Sequence, residues 1–238
     1  VRRMPDGLDT GSVTVTGWAV AATLETPDGG LEVGTGVSLD HKTGEAGRRV
    51  VRLDGQTARN QAELAHRVAV LWLTPDMQRL FSDGAGGRRR FLDRLVFALD
   101  AAHAGRLNTY ERALRERARL LRYGAPSGGA PDGAWIATLE GTMAERGIAI
   151  TVARMNLAAR LNAAAGPDDH RFPTAELVVA GTVEDWIGRM SALEAEDSYR
   201  EALARSRPVD GEAGGAAFGP HRSDLLVTHQ PRGLAAGD

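Results

Sequence analysis

The chain contains no cysteine, which excludes a disulfide framework, a thiolate zinc centre and a cysteine nucleophile, and fits a reducing interior. Lysine is almost as scarce. Lys42 is the only one among 29 basic residues, so the arginine-rich remainder suits bidentate contact with phosphate or carboxylate, or reflects codon usage. No apolar run approaches the ~20 residues of a membrane span and no signal pattern opens the chain, so a soluble, cytoplasmic protein is expected. An excess of one charge is also missing. With a net charge of -2 and a pI near 6.3, bulk attraction to nucleic acid is excluded and any such binding has to come from a local patch.

What is present begins with alternation. Residues 12–39, SVTVTGWAVAATLETPDGGLEVGTGVSL, read as a hairpin about Pro27-Asp28-Gly29-Gly30. A third short strand at Arg49–Leu53, ending in Asp54-Gly55, makes an antiparallel meander. TARNQAELAHR is helix-like, and VAVLWLTPD reads as an apolar strand buried on both faces. Helical periodicity then takes over. Leu107, Tyr110, Leu114 and Leu121 line one amphipathic helix. After the loop from Gly124 to Gly133, Ile136, Leu139, Met143, Ile150, Leu157 and Leu161 keep a near-heptad rhythm on a second. The two predict an antiparallel hairpin. A further helix is expected over about Val183–Arg205, with Trp186, Met190, Leu193 and Leu203 inward. A loop and strand follow Phe218. There is no internal repeat, and 238 residues suffice for one large domain or two modest ones.

Several familiar chemistries lack support. GVSLDHKT, residues 36–43, has the spacing of a phosphate loop, but His41 replaces its second glycine and the stretch lies in a hairpin turn, so a polar turn is the better reading. Asp168-Asp169-His170 offers metal-ligand types on adjacent residues that rarely point at one ion. No H-E-x-x-H or G-x-S-x-G occurs.

Charge is distributed unevenly. Between Arg88 and Arg122 ten arginines stand against four acids, while Pro167 to Glu212 holds eleven acids against five arginines. On YERALRERARLLR the expectation is i,i+4 pairing with Glu111 and Glu116 on a solvated face. Arg88-Arg89-Arg90 is different, because cations at a helix start oppose the macrodipole and call for an anionic partner. DNA phosphate and an acidic side chain of another lobe both qualify. In FGPHRSDL, Gly219-Pro220 sets a turn, His221 and Arg222 add a titratable donor and a fixed cation, and Asp224 is placed to orient either.

Residues 71–122, from LWLTPDMQRLF to ERARLLR, with GPHRSDLLV at long range, resemble the bacterial RecF family of recombination mediators over nearly the whole chain. The resemblance implies an α/β fold: the antiparallel meander and sheet of an ABC/SMC-type ATPase head with an inserted helical-hairpin lobe. It implies residues 1–73 in the head, 74–207 as the helical arm and 208–238 as the return strand into the head. For the whole family it implies ATP with Mg2+, binding of single-stranded, gapped or duplex-junction DNA, and a role in DNA repair, replication, DNA damage and the SOS response. Mediators of the RecO and RecR type are the implied partners, with RecA loaded indirectly and an ATP-dependent homodimer.

By the same resemblance the chain reads as an internal portion. The Walker A, signature and Walker B segments fall outside it, so it is expected to hold no nucleotide tightly and to lack hydrolysis by itself. Arg88, Arg89 and Arg90 become DNA-binding candidates. Thr74, Pro75 and Asp76, with Gly219, Pro220, His221, Arg222 and Asp224, become nucleotide-proximal ones; no catalytic or metal-ligating residue is assigned. The competing reading is a non-enzymatic interaction scaffold built on the helical hairpin. An SMC-type arm protein is disfavoured, because limbs of 25 to 30 residues reach only about 40 Å.

Overall fold

The computed structural model describes residues 17–26, 29–38, 47, 49–59, 63–64, 67–69, 74–124, 132–165, 174–230 and 233–236. The chain forms two units, Val1–Ala69 and Val70–Asp238, each with its own sheet. In the first, β1 (Gly17–Thr26) and β2 (Gly29–Ser38) pair along their full length, and β3 (Val50–Leu53) and β4 (Gln56–Thr57) extend the sheet in chain order. Every pairing is antiparallel, as the alternation predicts. The β3–β4 turn uses Asp54 and Gly55 at φ 48° and 77°, the twist that a two-residue hairpin needs. The Asp54 carboxylate also accepts from the Glu32 N–H at 3.0 Å, which fixes the turn against β2. Leu31, Val51 and Leu53 are the buried hydrophobic residues among the described residues of this unit. Trp18 is half exposed, under the Arg49 guanidinium. Pro27-Asp28, most of the following polar turn and the core of the apolar run 68–73 lie outside the described residues.

The second unit opens with a short 3-10 helix (Pro75–Arg79), then α1 (Ala85–Leu99), α2 (His103–Tyr123) and α3 (Gly133–Ala164). Asp132 starts α3 by accepting from the Ala134 N–H at 2.8 Å, which satisfies one of the free donors of a first turn. Helices α2 and α3 are the expected hairpin, and their contacts run in opposite directions along the chain. Arg117 bonds Glu140, Tyr110 lies against Gly147, and His103 and Arg154 share Asp93. Each layer is seven residues from the next. Gly147 is needed in the middle one, since a Cβ there would stand 2.7 Å from a ring carbon of Tyr199.

The helix expected over Val183–Arg205 is two helices, α4 (Thr182–Ile187) and α5 (Ala192–Ala213). Ser191 and Glu194 form a capping box: Ser191 Oγ accepts from the Glu194 N–H and the Glu194 carboxylate accepts from the Ser191 N–H. This restarts the helix and breaks the apolar phase. Leu193, expected inward, is therefore in a first turn and 69% exposed, while Ala195, Tyr199 and Leu203 fill the core. Helix α5 also runs past the expected end and through Pro208.

The strand after Phe218 is β6 (Asp224–His229). It pairs with β5 (Ala175–Ala180) and β7 (Leu234–Ala235) in an antiparallel sheet ordered β5-β6-β7. Asn162 of α3 donates to the Leu177 carbonyl and accepts from its N–H, at 2.9 and 2.8 Å, so a side-chain amide serves β5 as a further pairing partner. Leu92, Val96, Leu157, Val179 and Leu225 form the core between this sheet and α1 and α3. A second core joins α2, α3, α4 and α5 around Tyr110, Met143, Ile150, Tyr199 and Leu203.

Candidate functional site

Between α5 and β6 the chain makes a tight turn at Gly219–Ser223, closed by the Arg222 N–H donating to the Gly219 carbonyl at 2.9 Å. Gly219 has φ +136°, and a Cβ there would run into the hydroxyls of both Tyr110 and Tyr199. His221 Nε2 faces the Ala216 carbonyl at 3.0 Å and Nδ1 faces the Tyr110 hydroxyl at 2.7 Å. A carbonyl can only accept, so Nε2 carries the proton and Nδ1 of the neutral ring accepts from Tyr110. The Tyr199 hydroxyl lies 3.0 Å from that of Tyr110 and 3.2 Å from the Phe218 carbonyl. Burial raises both phenols well above their ordinary range and keeps them protonated. It also pushes His221 below its usual value, with the Arg222 and Arg89 cations adding to burial and the Ala216 hydrogen bond opposing it.

The turn is held from three further directions. Arg154 of α3, buried, donates to the Pro220 carbonyl at 2.7 Å and grips the Asp93 carboxylate of α1 with Nε and Nη2, both at 2.8 Å. His103 Nε2 meets the same carboxylate at 2.9 Å. Burial alone would raise the Asp93 pKa, but the bonds from His103 and Arg154 outweigh it and bring it below the ordinary range. Arg88 of α1 meets Asp224 side-on, Nε to Oδ1 at 2.7 Å and Nη2 to Oδ2 at 2.8 Å, and gives Nη1 to the Asp83 carbonyl at 2.6 Å. Arg89 donates to the Ser223 carbonyl at 2.7 Å, and the Ser223 hydroxyl donates to the buried Glu184 of α4 at 2.5 Å.

The three arginines thus occupy three environments. Arg88 has its anionic partner in Asp224, which relieves the opposed helix start; Arg89 is half satisfied; Arg90 is exposed and has no polar partner among the described residues. Asp224 does not orient His221 or Arg222 as expected, because α1 packs beside the start of β6 and presents Arg88 first. Arg222 instead donates to the Ala216 carbonyl. Thr74 precedes the 3-10 helix without capping it through its side chain, and Pro75 is that helix's first residue. Neither joins the turn by a hydrogen bond, and the Asp76 side chain lies outside the described residues, as do Lys42 and Asp168-Asp169-His170. No metal-ligand cluster is found among the described residues.

Sequence reasoning missed Asp93, Tyr110 as a hydrogen-bonding group, Arg154, Glu184 and Tyr199. It also placed Arg117 on a solvated face. Arg115 and Arg119 do pair with Glu111 and Glu116, but Arg117 is 1% exposed. It bonds Glu140 at 2.9 Å, Asp210 at 2.8 Å and the Leu203 carbonyl at 2.6 Å. The available signal was the seven-residue spacing of 103, 110 and 117 against 140, 147 and 154, which puts these polar residues on the apolar face.

No protein-family model matches the chain. It is 44% identical over 222 residues to the DNA replication and repair protein RecF of Mesorhizobium japonicum, covering 92% of this chain and 56% of that protein. Over most of its length this chain matches a portion of RecF. RecF of Caulobacter sp. (strain K31) is 40% identical over 245 residues, covering all of this chain and 60% of that protein. This chain therefore spans somewhat under two thirds of the length of these relatives. Two solved RecF structures share its fold. One is of the recombination mediator protein RecF-ATPrS in the RecFOR pathway, at TM-score 0.75 and 18% identity, covering 92% of this chain and 56% of that one. The other is of RecF-ATP, at TM-score 0.74 and 17% identity, covering 94% and 57%. The mixed α/β arrangement of antiparallel sheets and helices matches these RecF structures. No helix among the described residues is long and apolar enough to cross a membrane.

Proposed function

We propose that this protein acts in DNA replication and repair, as the RecF relatives are named to do. The observation that carries this reading is 44% identity along 222 of its residues. In the whole protein the activity would involve ATP with Mg2+, gapped or single-stranded DNA, RecO- and RecR-type mediators and, through them, RecA. Of the DNA-binding candidates Arg88, Arg89 and Arg90, the contact falls to Arg90 with Arg89 beside it, because Asp224 occupies Arg88. Thr74 to Asp76 and the Gly219–Asp224 turn are proposed to lie near the nucleotide, the place the resemblance gives them. The scaffold reading predicts no salt-sensitive, ATP-gated binding of DNA.

The test is the affinity of this chain for gapped duplex DNA across a salt series, with and without ATP. Binding should fall with salt, and Arg90→Ala should lower the log-log slope by about 0.9. A chain that binds no DNA at low salt in either condition would overturn the DNA-binding reading and leave the scaffold.

A further inference from the structure

Beside the Gly219–Ser223 turn lies a cavity of about 260 Å³. Its walls come from the first turns of α1, from Tyr110 of α2, from Arg154 of α3 and from Pro220 and His221. Arg89 and Arg90 line it side by side. Their outer nitrogens converge over Gly86: a Cβ built there would stand 3.7 Å from Arg89 Nη2 and 3.6 Å from Arg90 Nη1. The absence of a side chain at Gly86 leaves the gap between two guanidinium groups open.

The charge in this cavity is not balanced from within. Asp93 and Glu111 also line it, but Asp93 is engaged by Arg154 and His103, and Glu111 pairs with Arg115 at 3.3 Å. The five N–H groups of Arg90, and those on Nε and Nη2 of Arg89, have no acceptor among the described residues. Burial and the nearby Arg154 cation lower the Arg89 pKa, with Asp224 and Asp93 opposing them in part. Uncompensated guanidinium forks in a half-enclosed site are suited to bidentate recognition of a tetrahedral oxyanion.

The geometry points to a phosphate-binding site between Arg89 and Arg90 over Gly86, one that takes a single phosphate group of DNA or of a nucleotide. This deepens the DNA-repair reading and rests on it only for the source of the phosphate. The backbone at Gly86 supplies the floor, the two forks supply the donors, and the His221–Tyr110 pair closes the inner end.

The test uses the 238-residue chain and inorganic phosphate, followed by thermal shift and calorimetry against chloride of matched ionic strength. The expected result is a saturable stabilisation by phosphate that Arg90→Gln, an exposed change, weakens tenfold or more. Gly86→Glu should place a carboxylate between the forks, raise Tm without phosphate and abolish the phosphate response. Gly86→Gln, of the same size and uncharged, should not raise it. Displacement of phosphate by gapped duplex would assign the site to DNA, and displacement by ATP alone to a nucleotide. A phosphate response no larger than that of chloride, or one unchanged in Arg90→Gln, overturns the site. Salt-dependent DNA binding that persisted alongside that failure would leave the DNA reading standing. Phosphate binding without DNA binding would do the reverse.

Discussion

Arg88 and Asp224, 136 residues apart, meet through two parallel hydrogen bonds that join the first turn of α1 to the first residue of β6. Both side chains are largely shielded, at 15% and 28% exposed, so the pair is screened less than a surface bridge. Arg88→Ala leaves the carboxylate without its charged donor and should cost about 1–3 kcal/mol. Chemical denaturation of Arg88→Ala, Asp224→Asn and the double variant gives the coupling between them, and the double variant should lose less stability than the two single losses added together. The hydrogen bonds from Arg88 hold the Asp224 pKa below the ordinary carboxylate value. A depressed carboxylate contributes stability above its unfolded pKa and loses it as pH falls through the folded one. The double variant should therefore lose less stability than wild type below about pH 4.

Arg117 should be less forgiving. Removing it by Arg117→Met leaves Asp210 without a cation and Glu140 with Arg207 alone, both carboxylates being 1% exposed. An uncompensated buried charge of this kind costs about 3–5 kcal/mol. Arg117→Lys restores the charge but cannot reach Glu140, Asp210 and the Leu203 carbonyl together, so its denaturation midpoint should stay well below that of wild type.

Gly219→Ala should destabilise through two causes that can be separated. The left-handed φ costs about 1–3 kcal/mol for a residue with a side chain, and the new methyl collides with two phenol oxygens. In a Tyr199→Phe background one of those oxygens is gone. The cost of Gly219→Ala measured there by urea denaturation should be smaller, while the backbone part persists.

His221 gives a pH signature of the opposite origin. Its folded pKa lies below the unfolded value because burial, then Arg222 and Arg89, disfavour the imidazolium. The unfolded chain then binds more protons, so stability rises with pH, and this contribution is lost as pH falls from about 6.5 toward the folded pKa. Comparing denaturation free energies of wild type and His221→Gln between pH 5 and 8 should show a shallower slope in the variant over that window.

The meander and the helical hairpin were legible because each carries one clean period: alternation over residues 17–38, and heptad spacing of Ile136, Met143, Ile150 and Leu157. Helices α4 and α5 were not separated, because Trp186, Met190 and Leu193 keep a helical phase by coincidence across the Ser191 cap. Strand β5, AELVVA, is short, and Glu176 breaks into its apolar run, so it carries no clean period. The site was half legible. GPHRSDL stood out by composition, but its partners Asp93, Tyr110, Arg154 and Tyr199 come from helices in which a buried polar residue has the same spacing as an apolar one. Only the fold shows which arginines turn inward.

The three polar layers of the hairpin, at 103/154, 110/147 and 117/140, bear on how this part of the molecule can vary in evolution. Insertion of a single residue within α2 or α3 would rotate everything beyond it by about 100° and uncouple the layers past that point. Seven residues added to each limb near the tip would instead preserve the facing order and lengthen the hairpin by roughly 10 Å. Arm length in homologues with this pairing is thus expected to change in whole heptads.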